Sequence, residues 1–293
     1  MAKKSRRRFG DRKDGRLLRT VSPFSKFIPY VMVERSDACN LYEQAFEVSN
    51  VDKCLRNERA AGYKGIGFLH FIIAAYIRCI SMLPGVNRFI SGRRIYARNN
   101  IEVVMAVKRD LSLGGAETTI KVIFEPTDTI YDVYRKLNQK IEEIKVGDDT
   151  NNTEDVADAF TRLPRFLLRF LLWLCRVLDY FGWIPQKLLD ASPFHGSVIV
   201  TDLGSLRIGP IYHHIYNFGN LPLFIAFGAK YHKYEMNKQG EVEDNKYVDL
   251  KFTLDERTVD GHYYAQFLQA MEYVFSHPEI LESPPSRVVE DID

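Results

Sequence analysis

Apolar residues follow two different spacings along the first half of the chain. Residues 65–83 (GIGFLHFIIAAYIRCISML) form a long apolar run that ends at Pro84-Gly85, which predicts a buried helix. Two short β-branched segments, 101–107 (IEVVMAV) and 118–124 (TTIKVIF), are bounded by polar or glycine-containing turns and predict strands. Residues 130–144 then have apolar positions at helical spacing, after a Thr127-Asp128 pair that suits a helix N-cap.

From residue 197 onward the pattern changes to strands. SVIVT, LFIAFGA and YVDLKFTL each predict an extended segment, and in the third segment apolar and polar residues alternate as in a sheet with one solvated face. Residues 237–240 (NKQG) predict a hairpin turn before the third strand, and residues 261–277 predict a helix that stops at Pro278. Strands and helices without strict alternation indicate an α+β fold.

The amino-acid composition indicates a folded protein without a cysteine-based metal site or disulfide framework. The 293 residues are 46% hydrophobic and 13% aromatic, which excludes a disordered or low-complexity chain. The four cysteines form no C-x-x-C pair, so neither a zinc site nor a disulfide framework is expected, and no metal site is predicted. No apolar signal-peptide segment follows the charged N-terminus, and we expect a cytoplasmic protein.

Charge is unevenly distributed although the net charge is only +2. Residues 1–19 hold nine Lys and Arg against Asp11 and Asp14, which gives +7 and leaves −5 for the rest of the chain. Such a basic arm is either a solvated tail or a contact for anionic lipid. Nucleic-acid binding is disfavoured because no basic patch with interleaved aromatic residues follows the arm.

The most hydrophobic window is 166–184 (FLLRFLLWLCRVLDYFGWI). It does not suit a membrane span, because three charged residues at about 3 kcal/mol each outweigh apolar gains of roughly half a kcal/mol per residue. Arg162, Arg165, Arg169, Arg176 and Asp179 share one arc of the helix, and the rest of the circumference is apolar. Two interpretations stay open: a helix packed on its own domain or a neighbouring subunit, and a helix at residues 162–184 lying in the plane of a membrane surface.

The most specific local motif is DERTVDG at residues 255–261, between the last strand and the C-terminal helix. It resembles the Asp-His-Arg-x-x-Asp-Gly motif of dihydrolipoamide acyltransferase catalytic domains and the His-x-x-x-Asp-Gly motif of chloramphenicol acetyltransferase. TDLGS at residues 201–205 is similar to the Ser-Asn-Leu-Gly-Ser turn of that superfamily. Similar segments occur in the same order from residue 68 to residue 281, including LFIAFGAK and the ending PEIL.

The resemblance covers residues 20–282 and implies a chloramphenicol acetyltransferase-like fold, a two-layer sandwich of a mixed sheet with helices on one face. The basic arm (1–19) and a C-terminal tail (283–293), expected to be mobile, lie outside it, and a less matched insertion spans 147–193. The matched region fills the chain, so we expect a free-standing homotrimer with sites between subunits and no lipoyl attachment. Coenzyme A or acyl-coenzyme A would be a substrate, and a small molecule would accept the acyl group.

The resemblance also implies roles for particular residues. Thr201 takes the position of the hydroxyl that stabilises the oxyanion, and Asp260 keeps the carboxylate of the motif. Gly261 is expected to permit a tight entry into the helix. Arg257, Gly204 and Ser205 support the two motifs.

The general base departs from the superfamily pattern, because Glu256 stands where the superfamily has His. An ordinary Glu has a pKa near 4.3 and a thiol one near 8.5, so proton transfer is uphill by about four units, or over 5 kcal/mol. Glu256 is therefore either a base adjusted by burial or a member of a structural ion pair, for instance with Arg257. His262 is a possible substitute base, and a surface or capping role is its alternative.

Two functions follow from these observations. The first is a coenzyme A-dependent acyltransferase with an atypical or impaired base. The second is a non-catalytic trimer, a possible pseudoenzyme that serves as a scaffold or a membrane-peripheral binding protein. Glu256, the arginine-striped helix and the basic arm favour the second function.

Overall fold

The computed structural model describes residues 8–108, 117–146, 161–237 and 239–293. Residues 147–160, the first part of the insertion expected at 147–193, and residues 1–7 of the basic arm lie outside these ranges. The helices are α1 (Pro23–Val31), α2 (Ser49–Ala60), α3 (Phe68–Met82), α4 (Ile130–Val146), α5 (Arg165–Tyr180), α6 (Gln186–Ala191) and α7 (Gly261–Ser276). The strands are β1 (Gly15–Leu17), β2 (Cys39–Glu47), β3 (Arg88–Ser91), β4 (Arg94–Arg98), β5 (Ile101–Lys108), β6 (Glu117–Phe124), β7 (Val198–Asp202), β8 (Leu223–Phe227), β9 (Tyr231–Met236) and β10 (Val242–Asp255).

The strands form one large mixed sheet and one small antiparallel sheet. The large sheet has the order β2-β10-β8-β7-β5-β6, and β9 also pairs with β10. β7 is parallel to both β5 and β8, and the other pairs are antiparallel. The small sheet has the order β1-β4-β3.

The core lies between one face of the large sheet and the helices α2, α3, α4 and α7. In β10 the alternate residues Val248, Leu250, Phe252 and Leu254 are all buried, as the sequence pattern predicts. α3 is buried along nearly its whole length. The predictions of an α+β class and of a two-layer sandwich are confirmed.

Two local details differ from the sequence predictions. α4 is capped by Thr129, whose Oγ1 accepts a hydrogen bond from Asp132 N at 3.3 Å, and not by Thr127-Asp128. The reason is that Asp132 completes a reciprocal capping box by accepting from Thr129 N at 3.0 Å. β9 pairs with β10 and ends before residue 237, so a strand that the sequence pattern did not reveal lies between LFIAFGA and the predicted turn.

The chain termini pack against the domain more closely than the sequence indicates. Arg12 is buried and donates to Asp14 Oδ1 at 2.8 Å and to Asp179 Oδ1 at 2.7 Å. At the other end, Asp291 pairs with Arg88, and the Asp293 carbonyl accepts from the backbone of Arg19 and Thr20. Residues 8–19 and 283–293 are thus tied to each other and to the small sheet, because their charges find buried partners.

Helix α5 lies on the surface, and none of its residues is fully buried. Its C-terminal end is fixed by two contacts, because Arg12 donates to Asp179 Oδ1 at 2.7 Å and Ser91 Oγ of β3 in the small sheet donates to the Asp179 carbonyl at 3.0 Å. No helix within the described ranges has both the length and the apolar content needed to cross a bilayer.

Candidate functional site

A buried ion pair holds the turn that follows β10. Arg257 donates to Asp255 through Nε at 2.8 Å and through Nη2 at 2.7 Å, and Arg35 Nε reaches the same carboxylate at 3.3 Å. All three side chains are buried. Arg257 also donates to the carbonyls of Met32 and Val33, which follow α1. The turn is therefore rigid, because a two-pronged Arg–carboxylate contact fixes both orientation and distance.

Glu256 lies at the centre of this turn but takes no part in the ion pair. Its backbone N–H donates to the Ala38 carbonyl at 2.9 Å, and its side chain is half-buried. Within the described part of the chain the Glu256 carboxylate has no hydrogen-bond or ion-pair partner, and Arg257 is engaged by Asp255 instead. The suggested ion pair of Glu256 with Arg257 is not present.

Glu256 lines a cavity of about 180 Å³ between the turn, α1 and the small sheet. The wall opposite the turn is mostly apolar and comes from Val21, Phe24, Ile28 and Ile95. Two cations also line the cavity. Arg88 donates to Asp291 through Nε at 2.8 Å and Arg257 donates to Asp255 through Nη2 at 2.7 Å, so neither pairs with Glu256. The cavity therefore offers a carboxylate beside an apolar surface.

The residues after Glu256 begin helix α7. Asp260 is its N-cap, and Asp260 Oδ1 accepts a hydrogen bond from Tyr263 N at 2.8 Å. Asp260 also lines the cavity. Its second oxygen has no described partner, so capping leaves part of the carboxylate open to the cavity.

The role expected for Gly261 is wrong. Gly261 does not have a positive φ, and a methyl group added at this position would meet no atom within 4 Å. Helix α7 therefore starts with ordinary backbone geometry, and within the described part of the chain neither backbone conformation nor space requires a glycine at this position. His262 is exposed and contacts Gln266 at 2.9 Å, and it is not among the residues that line the cavity.

Thr201 lies near the end of β7, next to a tight turn. Asp202 Oδ1 accepts a hydrogen bond from Ser205 N at 2.9 Å, and Ser205 Oγ donates to the Asp202 carbonyl at 3.1 Å. Gly204 packs so closely on Gly228 that an added Cβ would lie 2.6 Å from the Gly228 carbonyl oxygen. Gly204 and Ser205 thus support the turn, and the half-buried Thr201 hydroxyl has no partner in the described ranges.

Burial affects the carboxyl group beside Thr201. Asp202 is partly withdrawn from water, and this burial raises its pKa above the usual value, although the N–H groups of Ser205 and Gly204 act in the opposite direction.

Thr201 and Glu256 lie far apart within one protomer. Thr201 is opposite Ala226 of β8, and Ala226 is opposite Lys251 of β10, five residues before Glu256. The backbones of Thr201 and Glu256 are separated by two inter-strand spacings across the sheet and by five residues along β10. Together these distances place them roughly 20 Å apart. One protomer therefore does not bring the two predicted catalytic residues together.

Sequence patterns did not reveal the residues that complete the cavity or the turn. Phe24 and Ile28 of α1 and Arg35 lie more than 200 residues before the turn that they contact, and no local motif marks them. A separate group of possible metal ligands, Cys54, Glu58 and Glu282, lies near α2 and the end of the chain. Burial raises the pKa of the Cys54 thiol to about 11.

No protein-family model matches the sequence. No curated protein sequence matches it either. Solved structures do match, although sequence identities are low.

A probable dihydrolipoamide acetyltransferase from Listeria monocytogenes has a TM-score of 0.58 at 14% identity, covering 88% of this chain and 94% of that one. The dihydrolipoamide acetyltransferase of Azotobacter vinelandii has a TM-score of 0.57 at 10% identity, covering 90% and 93%. A chloramphenicol acetyltransferase has a TM-score of 0.55 at 12% identity, covering 89% and 99%. The turn with Glu256, the strand with Thr201 and the two-layer core thus lie in a chain that has the fold of dihydrolipoamide acetyltransferase catalytic domains and chloramphenicol acetyltransferase.

Proposed function

We propose that the protein is a coenzyme A-dependent acyltransferase that acts as a homotrimer, with Glu256 of one subunit and Thr201 of the next subunit in each site. The observation that carries this proposal is the Glu256 carboxylate itself. It lines a cavity, has no described partner, and is held in place by the ion pair of its two sequence neighbours, Asp255 and Arg257. A carboxylate placed in this way is available to accept a proton.

Exposed apolar residues next to each half of the site support a site between subunits. Leu41 and Tyr42 are exposed on β2, close to the point where Ala38 binds the backbone of Glu256. After the Thr201 turn, Leu206, Ile208 and Ile211 are about half exposed. Clusters of this kind typically become buried by association, and a closed trimer buries both kinds of surface in each contact.

The chemistry follows from what each group can do. Glu256 takes the proton from the thiol or hydroxyl of the acceptor, and the acceptor atom attacks the thioester carbonyl. The Thr201 hydroxyl donates a hydrogen bond to the oxygen that becomes negative. Collapse of the tetrahedral intermediate releases coenzyme A thiolate, which takes the proton back from Glu256. Glu is a weaker base than His for this step, so we infer a slow enzyme or an acceptor with an acidic proton.

The chemistry of one fold neighbour supports the choice of residue types in this proposal. The Azotobacter enzyme was investigated for the role of a serine, a histidine and an asparagine in its catalytic mechanism. Thr201, Glu256 and Asp260 are the residues of this chain that the motif resemblance puts at such positions. Thr201 has a hydroxyl group, as the serine does. Glu256 and Asp260 have carboxylates in place of the imidazole of the histidine and the amide of the asparagine.

The direct experiment measures release of coenzyme A from short and medium acyl-coenzyme A in the presence of thiol and hydroxyl acceptors. Glu256→Gln and Thr201→Ala should each lower the rate, and Glu125→Gln, at an exposed site on the opposite side of the fold, should not. Calorimetry with coenzyme A measures binding separately. If calorimetry detects no binding and no acyl transfer occurs, the proposed activity is wrong.

One observation favours the second candidate function, a non-catalytic or membrane-peripheral protein. The outer side of α5 is rich in exposed aromatic residues, and none of them lines the cavity at Glu256. Acyl transfer at Glu256 does not explain this surface. Failure of the coenzyme A experiments would leave the membrane-peripheral function as the better supported one.

A further inference from the structure

The outer surface of α5 carries an exposed aromatic row. Phe166, Phe170 and Trp173 follow one another at i, i+4 and i+7, so they lie in line on one side of the helix. Their exposed fractions are 76%, 53% and 57%. Phe181 and Trp183 extend the row beyond the helix, with stacked rings 5.0 Å apart and with Trp183 at 66% exposure. Soluble surfaces rarely keep so much contiguous aromatic area in water.

Arginines run beside this row. Arg165, Arg169 and Arg176 are exposed, and none has an ion-pair partner in the ranges that the structure describes. The acidic residue of the helix, Asp179, is turned inward and is bound by Arg12. The solvent side of α5 therefore carries positive charge without compensating carboxylates from the helix itself.

We propose that α5 binds in the plane of an anionic phospholipid bilayer. The aromatic row enters the boundary between headgroups and acyl chains, and the arginines contact lipid phosphates. Charge complementarity selects this partner, because a second copy of the same face would bring the unpaired arginines together. The contacts of Asp179 with Ser91 and Arg12 fix the C-terminal end of the helix to the domain, and the helix has no fully buried residue. This function does not depend on acyl transfer, because the surface and the Glu256 cavity share no residue.

The tryptophan fluorescence of the unmodified protein can report its binding to vesicles. Its two tryptophans, Trp173 and Trp183, both lie on the proposed membrane face. Transfer of their rings from water into the bilayer interface shifts tryptophan emission to shorter wavelength. The full chain is titrated with vesicles of phosphatidylcholine containing about one third phosphatidylserine, and with phosphatidylcholine vesicles alone.

We expect a blue shift and flotation with the anionic vesicles and neither with the neutral ones. The triple variant Arg165→Gln, Arg169→Gln and Arg176→Gln should bind about 100-fold more weakly, from roughly fivefold per arginine. The matched control Lys53→Gln, Arg56→Gln and Lys64→Gln removes the same charge from exposed positions around α2 and should bind as the unmodified protein does. Circular dichroism checks that both variants fold.

Three results would overturn the proposal. The first is the absence of both flotation and a blue shift at low salt. The second is equal binding by the two triple variants, which would show that other charges are responsible. The third is a smaller oligomer, measured by sedimentation, for the double variant Phe166→Ser with Phe170→Ser, which would show that α5 is a contact between subunits. This variant keeps both tryptophans.

Discussion

Arg257 and Asp255 form a buried, two-pronged ion pair across the residue that lies between them, with N–O distances of 2.8 and 2.7 Å. The side chain between them, Glu256, points away from the pair and lines the cavity. Asp255 and Arg257 of the DER sequence thus hold each other, and Glu256 has no side-chain partner in the described part of the chain. This division of roles can be tested by stability measurements alone.

Arg257→Ala should destabilise the protein strongly, while Glu256→Gln should not. Removal of the Arg257 side chain leaves the buried Asp255 carboxylate with the longer Arg35 contact and the backbone N–H of residue 257, and loss of one partner of a buried pair costs about 3 kcal/mol or more. Glu256 has no described partner to lose, so we expect a change of under about 0.5 kcal/mol. Urea unfolding measures both values. Equal losses in the two variants would show that Glu256 is structural.

The two motif glycines should respond differently to alanine. At Gly204 a new Cβ would lie 2.6 Å from the Gly228 carbonyl oxygen, so the turn must move, at a cost of about 1 to 3 kcal/mol. At Gly261 the same change meets open space and should leave the melting temperature of the protein nearly unchanged. Thermal unfolding of Gly204→Ala and Gly261→Ala checks this order. A larger loss at Gly261 would mean that a neighbouring subunit packs on it.

Local patterns in the sequence predicted the core of the fold well. The alternation from Val248 to Leu254 and the apolar run of α3 predict their own burial, because each depends only on the spacing of neighbouring residues. β9 was missed because the sequence YHKYEM lies on an exposed hairpin and has no buried face to show in its pattern.

The site was only partly predictable for a different reason. DERTVDG indicates the turn, but the contact of Arg35 with Asp255 joins residues 220 positions apart. Likewise, the nine basic residues of the arm suggest a solvated segment, whereas Arg12 is buried against Asp179, which is remote in sequence. Partners of this kind are fixed by the tertiary fold, and no spacing rule reveals them.

Asp179, which fixes the C-terminal end of α5, should make the free energy of unfolding depend on pH in the acid range. Burial raises the pKa of Asp179, but the contacts with His195 and Arg12 outweigh burial and lower the pKa to about 2. A lowered carboxyl pKa stabilises the fold above the unfolded value near 3.9, and this stabilisation is lost as pH falls from there towards 2. The shift corresponds to about 2 kcal/mol.

Asp179→Asn removes this titration. Between pH 5 and pH 2 the free energy of unfolding should fall by about 2 kcal/mol less in Asp179→Asn than in the unmodified protein. Asp37→Asn, at an exposed position, serves as the control. Urea unfolding across this range measures the difference, and parallel curves for the two proteins would contradict the role given to Asp179.

The central claim is that Glu256 and Thr201 act together from different subunits, since their backbones lie roughly 20 Å apart within one protomer. The most direct measurement is complementation between Glu256→Gln and Thr201→Ala, co-expressed with different tags and purified as mixed oligomers. Each variant alone should lose most of its acyl transfer, about 100-fold for removal of an oxyanion donor. Each mixed trimer has one site of its three in which an intact Glu256 meets an intact Thr201, so purified mixed trimers should recover about a third of the unmodified rate. Mixed oligomers that stay as inactive as the single variants would contradict a site built from two subunits.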